Sequence, residues 1–390
     1  MGKTLSDILA LQPGRLADLE NLREMLLANA VMLGEIPSPT FGEEDRIRLL
    51  RDRYIEAGLE QVSIDEVGNA AAFVPGKKGN RTILVTANAD SVLGREVDHA
   101  MTLHLGQISG PGIAENAIGL ATVSLLPTLL ERLGLELDSN LILLATTRSL
   151  GLGNIEGLRF FLDHCKQRLD FGVCVRGVHL GRLSYNSLGM IRGEIHVAVP
   201  EHSEWLRLGS GGAITFLNRI ITQLLAIPLP RQPRTVIILG SITAGHTFNT
   251  PAPTGRLRFE IRSEDGQMPD RLLAIIQEIV DENDAESEAD VNLQVVSRRL
   301  LGGISFSHPL VKTMRAIDES LEIEPVIAPS TGELCALIDK GIPSVTIGLT
   351  TAANQHEVNE SIAIQPIFRG VIQLISLLDA IDQGHCDDEN

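Results

Sequence analysis

Positive charge is in short supply. The 390 residues carry 33 Lys and Arg against 50 Asp and Glu, a formal charge of −17. Such a chain is a poor partner for nucleic acid or an anionic membrane surface, since both demand basic patches. Cysteine is sparse as well. Cys165, Cys174, Cys335 and Cys386 form no C-x-x-C pair, and their spacing suits neither a zinc knuckle nor a disulfide framework. Free thiols in a reducing compartment are the expectation. No run approaches 18 uninterrupted apolar residues, so no membrane span is expected. The opening MGKTLSDILALQPG lacks the apolar core and cleavage site of a signal peptide. These absences together point to a cytoplasmic protein. There is no G-x-S-x-G elbow, and the glycines of GPGIAENAIG fit neither a P-loop nor a dinucleotide fingerprint. Internal repeats and low-complexity stretches are missing too.

What is present is an ordinary globular composition, 44% hydrophobic and 21% charged, in a chain long enough for two domains. The organising stretch is RTILVTANADSVLG, residues 81–94. Its apolar and β-branched run predicts a strand buried on both faces. Asn88 and Asp90 follow at the carboxyl end, where open α/β sheets gather their functional groups. Up to residue 189 strands and helices alternate, as in a mainly parallel sheet between helices. The spacing predicts helices at 15–34, 42–57 and 154–168, and a further helix running to about 134 that opens from the glycine-punctuated turn 110–119, with Glu115 and Asn116 at its start. It predicts strands at 61–65, 69–74, 82–87, 141–145, 171–176 and 182–188. Residues 95–110 read as an irregular loop holding Asp98, His99 and His104. From 190 to 302 the order becomes β-α-β-β-α-β, a ferredoxin-like unit that reads as an insertion. The first pattern resumes at 303, with helices at 308–321, 332–340 and 361–381 and a strand at 343–348. The expected architecture is therefore an α/β domain of residues 1–189 and 303–390, with an α+β domain of 190–302 set into it.

The loop ends, taken in order, resemble one family. ANADSV is similar to a His-x-Asp-Thr-Val loop, and GPGIAENAIGLA to a G-x-G-x-x-Asp-Asn-x-x-Gly turn. TTRSLGLGNIEG resembles a Glu-Glu-Gly loop. EHSEW resembles a His-Ser motif, AGHTFNTPAP and FEIRSED resemble substrate-binding Asn and Arg segments, and NQHEVNE resembles a closing His and Glu motif. The family is that of the zinc-dependent exopeptidases and deacylases, which includes carboxypeptidase G, aminoacylase, peptidase T and succinyl-diaminopimelate desuccinylase. The resemblance implies an α/β zinc-peptidase domain with a ferredoxin-like lid used for dimerisation. It also implies two zinc ions, a bridging carboxylate, and a glutamate that takes a proton from the bridging water.

Carried across position by position, those roles fall on altered residues. The histidine ligand falls on Asn88, and the aspartate that orients it on Asp90. The bridging aspartate falls on Glu115, the general base on Ser149 and the adjacent acidic ligand on Leu150. A further acidic ligand falls on Arg176, and the closing histidine on His356. Leucine offers no donor, an amide oxygen is a poor zinc ligand, and a guanidinium repels a dication. The expectation is that no metal is held, although the family uses zinc, and that Arg176 forms an ion pair with Glu115, Asp90 or both. In the lid, His202 and Ser203 match the His-Ser motif, and Asn249 and Arg262 match residues that hold a substrate carboxylate. Three functions follow. The favoured one is a degenerate peptidase homologue that binds a carboxylate-bearing small molecule or peptide. The others are an amidohydrolase with a single metal at Asp90, Glu115 and His356, and a dimeric scaffold protein.

Overall fold

The computed structural model describes residues 2–200, 212–286 and 288–388. They form two compact units, one of residues 1–186 with 303–390 and one of residues 187–302.

The first unit is built on an eight-stranded mixed sheet. In order across it lie Gln61–Ile64, Ala70–Val74, Asn140–Thr146, Thr82–Asn88, Phe171–Val178, Ser344–Thr350, Arg182–Ser184 and Val326–Ile327. Its middle four strands are mutually parallel. They read as continuous apolar runs because helices cover both faces; all seven residues of Thr82–Asn88 are buried. On one face lie Arg23–Gly34, Ile118–Arg132 and Gln365–Asp382, whose apolar residues form the main core. On the other lie Glu156–His164 and Leu334–Asp339, packed on Leu84, Ile142, Leu144 and Cys174. Ile118–Arg132 continues a short turn, and the stretch Ile113–Arg132 is long and apolar enough to cross a membrane. Its window is 89% buried inside the fold, so it is a core helix here. All four cysteines are free.

Three local expectations change. The predicted helix at 15–34 is two helices, Gln12–Glu20 and Arg23–Gly34, with Asn21 closing the first through its N–H to Asp18 and Leu19. The predicted helix at 361–381 starts with a strand, Ser361–Ala363, and becomes helical at Gln365. Pro366 sits in the first turn there, where its missing N–H costs nothing. That strand recruits residues of the predicted irregular loop: Gln107–Ser109 pairs with it, and Thr102–His104 pairs with Gln107–Ser109 around the left-handed Gly106.

Segments from the two ends of the chain meet on Gln365–Asp382 and its tail. Arg15 Nη2 lies 2.6 Å and Lys3 Nζ 3.1 Å from the fully buried Asp379. Gln12 donates to Ser376 at 3.3 Å, and the Lys3 backbone N–H donates to Gln383 Oε1 at 3.1 Å.

The second unit has a four-stranded antiparallel sheet in the order Thr235–Ala244, Thr254–Ser263, Gly189–Ala198, Asp290–Arg299. Helices Ala213–Ala226 and Met268–Ala285 cover one face around Ile195, Leu217, Phe259 and Ile276. This is the ferredoxin-like order. Thr235–Ala244 is an edge strand and exposes Ile238 and Ile242.

Candidate functional site

The site lies at the carboxyl ends of the parallel strands of the first unit. Strand Thr82–Asn88 delivers Asn88 and then Asp90, both fully buried. The chain between them is pinned: Ala89 N–H donates to Thr146 O, while Ser38 Oγ and Arg46 Nη1 donate to Ala89 O at 2.8 and 2.9 Å. Asp90 accepts from Ser149 N–H (2.8 Å), Leu150 N–H (2.7 Å), Thr40 Oγ1 (2.9 Å) and Asn88 Nδ2 (3.2 Å). Burial pushes its carboxyl up, and those donors pull back against the rise. Asp90 thus anchors the loop that carries Ser149 and Leu150.

Glu115 enters from a single wide turn, Ile113–Ala117, ahead of helix Ile118–Arg132. Burial alone would raise its carboxyl. His356 and Arg176 outweigh that and leave it below the usual glutamate value. Arg176 Nη2 lies 3.2 Å from Glu115 Oε1, and His356 Nδ1 lies 3.0 Å from Oε2. The other terminal nitrogen of Arg176 donates to Asn88 Oδ1 at 2.9 Å. The expected arginine ion pair is therefore with Glu115 and not with Asp90, whose oxygens face other donors. His356 is half-exposed, and its own imidazole is raised chiefly by Glu115.

Asn116 ties the strand ends together. Its Nδ2 donates to Asn88 Oδ1 (2.9 Å) and Val175 O (3.3 Å), and its Oδ1 accepts from Gly177 N–H (2.8 Å). Gly119 makes room for this clamp, since a Cβ there would stand 2.1 Å from Asn116 Oδ1.

Two acids carry no role in the motif reading. Glu333, buried at the start of Leu334–Asp339, meets Ser149 Oγ at 3.0 Å and lies closer still to Thr146 Oγ1. Burial raises its carboxyl, Asp90 adds to the rise, and Arg176 opposes it. Glu360 is fully buried and accepts from Ala114 N–H and His356 N–H at 3.2 and 3.0 Å. The NQHEVNE segment contains Glu360, but nothing near Glu333 in sequence marks it; its partner Ser149 is 184 residues away.

The remaining candidates fare differently. Asn249 is exposed in a loop of the second unit. Arg262 is already paired with Glu260, which Arg192 also contacts. His202 and Ser203 lie outside the described residues. His99, in the stretch read as an irregular loop, is buried, its Nε2 2.9 Å from Gly94 O.

Residues 190–288 match the family described as the peptidase dimerisation domain, M20_dimer. The whole chain is similar to solved structures of M20 metallopeptidases. Against the di-peptidase Dug1p of Saccharomyces cerevisiae the TM-score is 0.78 at 11% identity, covering 95% of this chain and 98% of that one. The fold is that of the M20 metallopeptidases. Human carnosine dipeptidase 1 gives 0.76 at 11% identity, over 96% and 99% of the two chains. The YXEP protein of Bacillus subtilis, a dinuclear metal-binding peptidase of the M20 family, gives 0.64 at 14%, over 93% and 99%. No curated protein matches in sequence. The resemblance to zinc-dependent exopeptidases is thus supported, and the second unit carries the match to the peptidase dimerisation domain.

Among the described residues no three His, Cys, Asp or Glu side chains are grouped to hold a metal ion. Glu115 and His356 do meet, but Asp90 is turned toward Thr40, Ser149 and Leu150.

Proposed function

We propose that this chain is an M20-fold protein that has exchanged the dinuclear metal centre and general base for an internal ion pair. It binds a carboxylate-bearing small molecule or short peptide in the old cleft and does not perform family-type hydrolysis. The observation that carries this reading is the Arg176 guanidinium held between Glu115 and Asn88. It supplies positive charge where the resemblance implies a zinc ion, and it occupies the donors such an ion would need. Leu150 brings only its backbone N–H to Asp90, and Ser149 is no base near neutral pH. Two chains pair through the lid, as the dimerisation-domain match suggests.

Metal analysis of the purified chain, equilibrated with zinc and then passed through a desalting column, tests the proposal. The expected result is far less than one zinc per chain, with no zinc-dependent cleavage of dipeptides or N-acyl amino acids. Stoichiometric zinc at micromolar affinity, accompanied by turnover, refutes it.

A further inference from the structure

Every acid of the cleft already has partners. Glu115 is taken by Arg176 and His356, Asp90 by four donors, Glu333 by Thr146 and Ser149, and Glu360 by two backbone N–H groups. Arg182 opens strand Arg182–Ser184 and is only partly exposed, yet its guanidinium makes no hydrogen bond or ion pair among the described residues.

Its position follows from register. Gly348 pairs with Arg176 on one side of strand Ser344–Thr350. On the other side Ile347 pairs with Leu183 and Thr346 with Ser184, which brings Arg182 level with Gly348. Strand alternation then puts Arg176 and Arg182 on one face, since their neighbours Val175 and Leu183 both point into the main core. With strands about 4.8 Å apart, their Cα atoms are about 10 Å apart. The backbone of His179 packs over Gly348 between them; a Cβ there would stand 1.9 Å from His179 O. His179 in turn bonds Gln355, the neighbour of His356, so Arg182 shares the wall that carries His356.

We propose that Arg182 is the carboxylate anchor of the cleft, taking the terminal carboxylate of a short peptide or N-acyl amino acid. This rests on the carboxylate-binding reading above and moves the anchor from Arg262, which already pairs with Glu260, to the wall beside His356. A half-buried cation beside another cation and without a counter-charge is unfavourable until an anion arrives. Burial and the charge of Arg176 both press against the Arg182 guanidinium, and no acid supports it. A planar carboxylate suits the forked donors of arginine. One carboxylate cancels one uncompensated charge, whereas a phosphate dianion adds negative excess beside Glu115, Glu333 and Asp90.

The test is thermal denaturation of the full chain with glycylglycine, N-acetylglycine, glycylglycinamide or inorganic phosphate. The two carboxylates are expected to raise the Tm of the wild type, and the amide is not. Arg182→Gln is expected to weaken carboxylate binding at least tenfold, while its ligand-free Tm stays level or rises because an unpaired cation is gone. Arg262→Gln is expected to bind as wild type does. Unchanged binding by Arg182→Gln removes the anchor assignment and leaves the carboxylate reading standing. A wild type indifferent to every carboxylate removes both. Tighter binding of phosphate overturns the ligand class. A ligand-free Tm several degrees lower in Arg182→Gln, restored by Arg182→Lys, marks a structural arginine and overturns the proposal.

Discussion

The packing of helix Pro309–Ser320 on helix Gln365–Asp382 holds a carboxyl group that ought to be neutral. Asp318 is fully buried, and its Oδ1 accepts from Gln373 Nε2 at 2.6 Å. Its Oδ2 and the Gln373 Oε1 have no partner. A proton on Oδ2 would supply a donor of the kind that Gln373 Oε1 lacks. Burial pushes the Asp318 carboxyl from 3.8 up to about 7, against the pull of the Gln373 bond. The unfolded chain gives up this proton near pH 4 and the folded chain holds it until about pH 7. Stability therefore falls as pH rises through that window and levels off above it. A difference of about three pKa units corresponds to about 4 kcal/mol at neutral to alkaline pH. Asp318→Asn keeps the acceptor, supplies a permanent donor to Gln373 Oε1 and removes the titration. Near pH 4 the variant and the wild type should be about equally stable. At pH 8 the variant should be the more stable by about 2–4 kcal/mol, roughly 3–7 °C in Tm. Denaturant and thermal unfolding at pH 4, 6 and 8 measure this. A variant less stable than wild type at pH 8, or a gap that does not change with pH, refutes the reasoning.

Three further outcomes are expected. Asp379→Asn leaves Arg15 buried beside a neutral amide and should cost about 3–5 kcal/mol, with faster proteolytic release of residues before Arg23; unchanged protease resistance would contradict this. Arg176→Ala strips Glu115 of one of its two cations and should cost about 1–3 kcal/mol at pH 7. Glu115 sits below its ordinary value of 4.5, so that loss should fade as pH falls below 4.5 and through the lowered value, which urea titrations in acid and at pH 7 would reveal. Replacing Ile238 and Ile242 together with Asp on the exposed lid strand should shift sedimentation from dimer to monomer without lowering the Tm of the lid, and an unmoved dimer would place the interface elsewhere.

How far the sequence could be read depended on where each residue's partner lies. The parallel strands were legible because burial on both faces leaves an uninterrupted apolar run, as in Thr82–Asn88. The lid was legible because its element order changes at one place. The break at Asn21–Leu22 was not, since neither Gly nor Pro marks it. Nor was the hairpin of Thr102–His104 and Gln107–Ser109, whose ordering strand lies some 250 residues away at Ser361–Ala363. The same division runs through the site. Glu115 and His356 sit in matching motifs, Arg176 follows an apolar strand run, and the three do converge. Glu333 and Arg182 belong to no motif, and only strand register and a distant loop give them neighbours.

The latch of Lys3, Gln12 and Arg15 onto Gln365–Asp382 bears on how the molecule is made. During synthesis the helix Gln12–Glu20 leaves the ribosome some 350 residues ahead of its docking surface, Gln365–Asp382. The central strand Ser344–Thr350 is equally late, so the larger sheet waits half-assembled with apolar edges bare. The inserted lid has a core of its own and becomes whole as soon as residue 302 emerges. The later-emerging module should therefore mature first, and the nascent chain is most open to aggregation or chaperone capture until its final helix arrives.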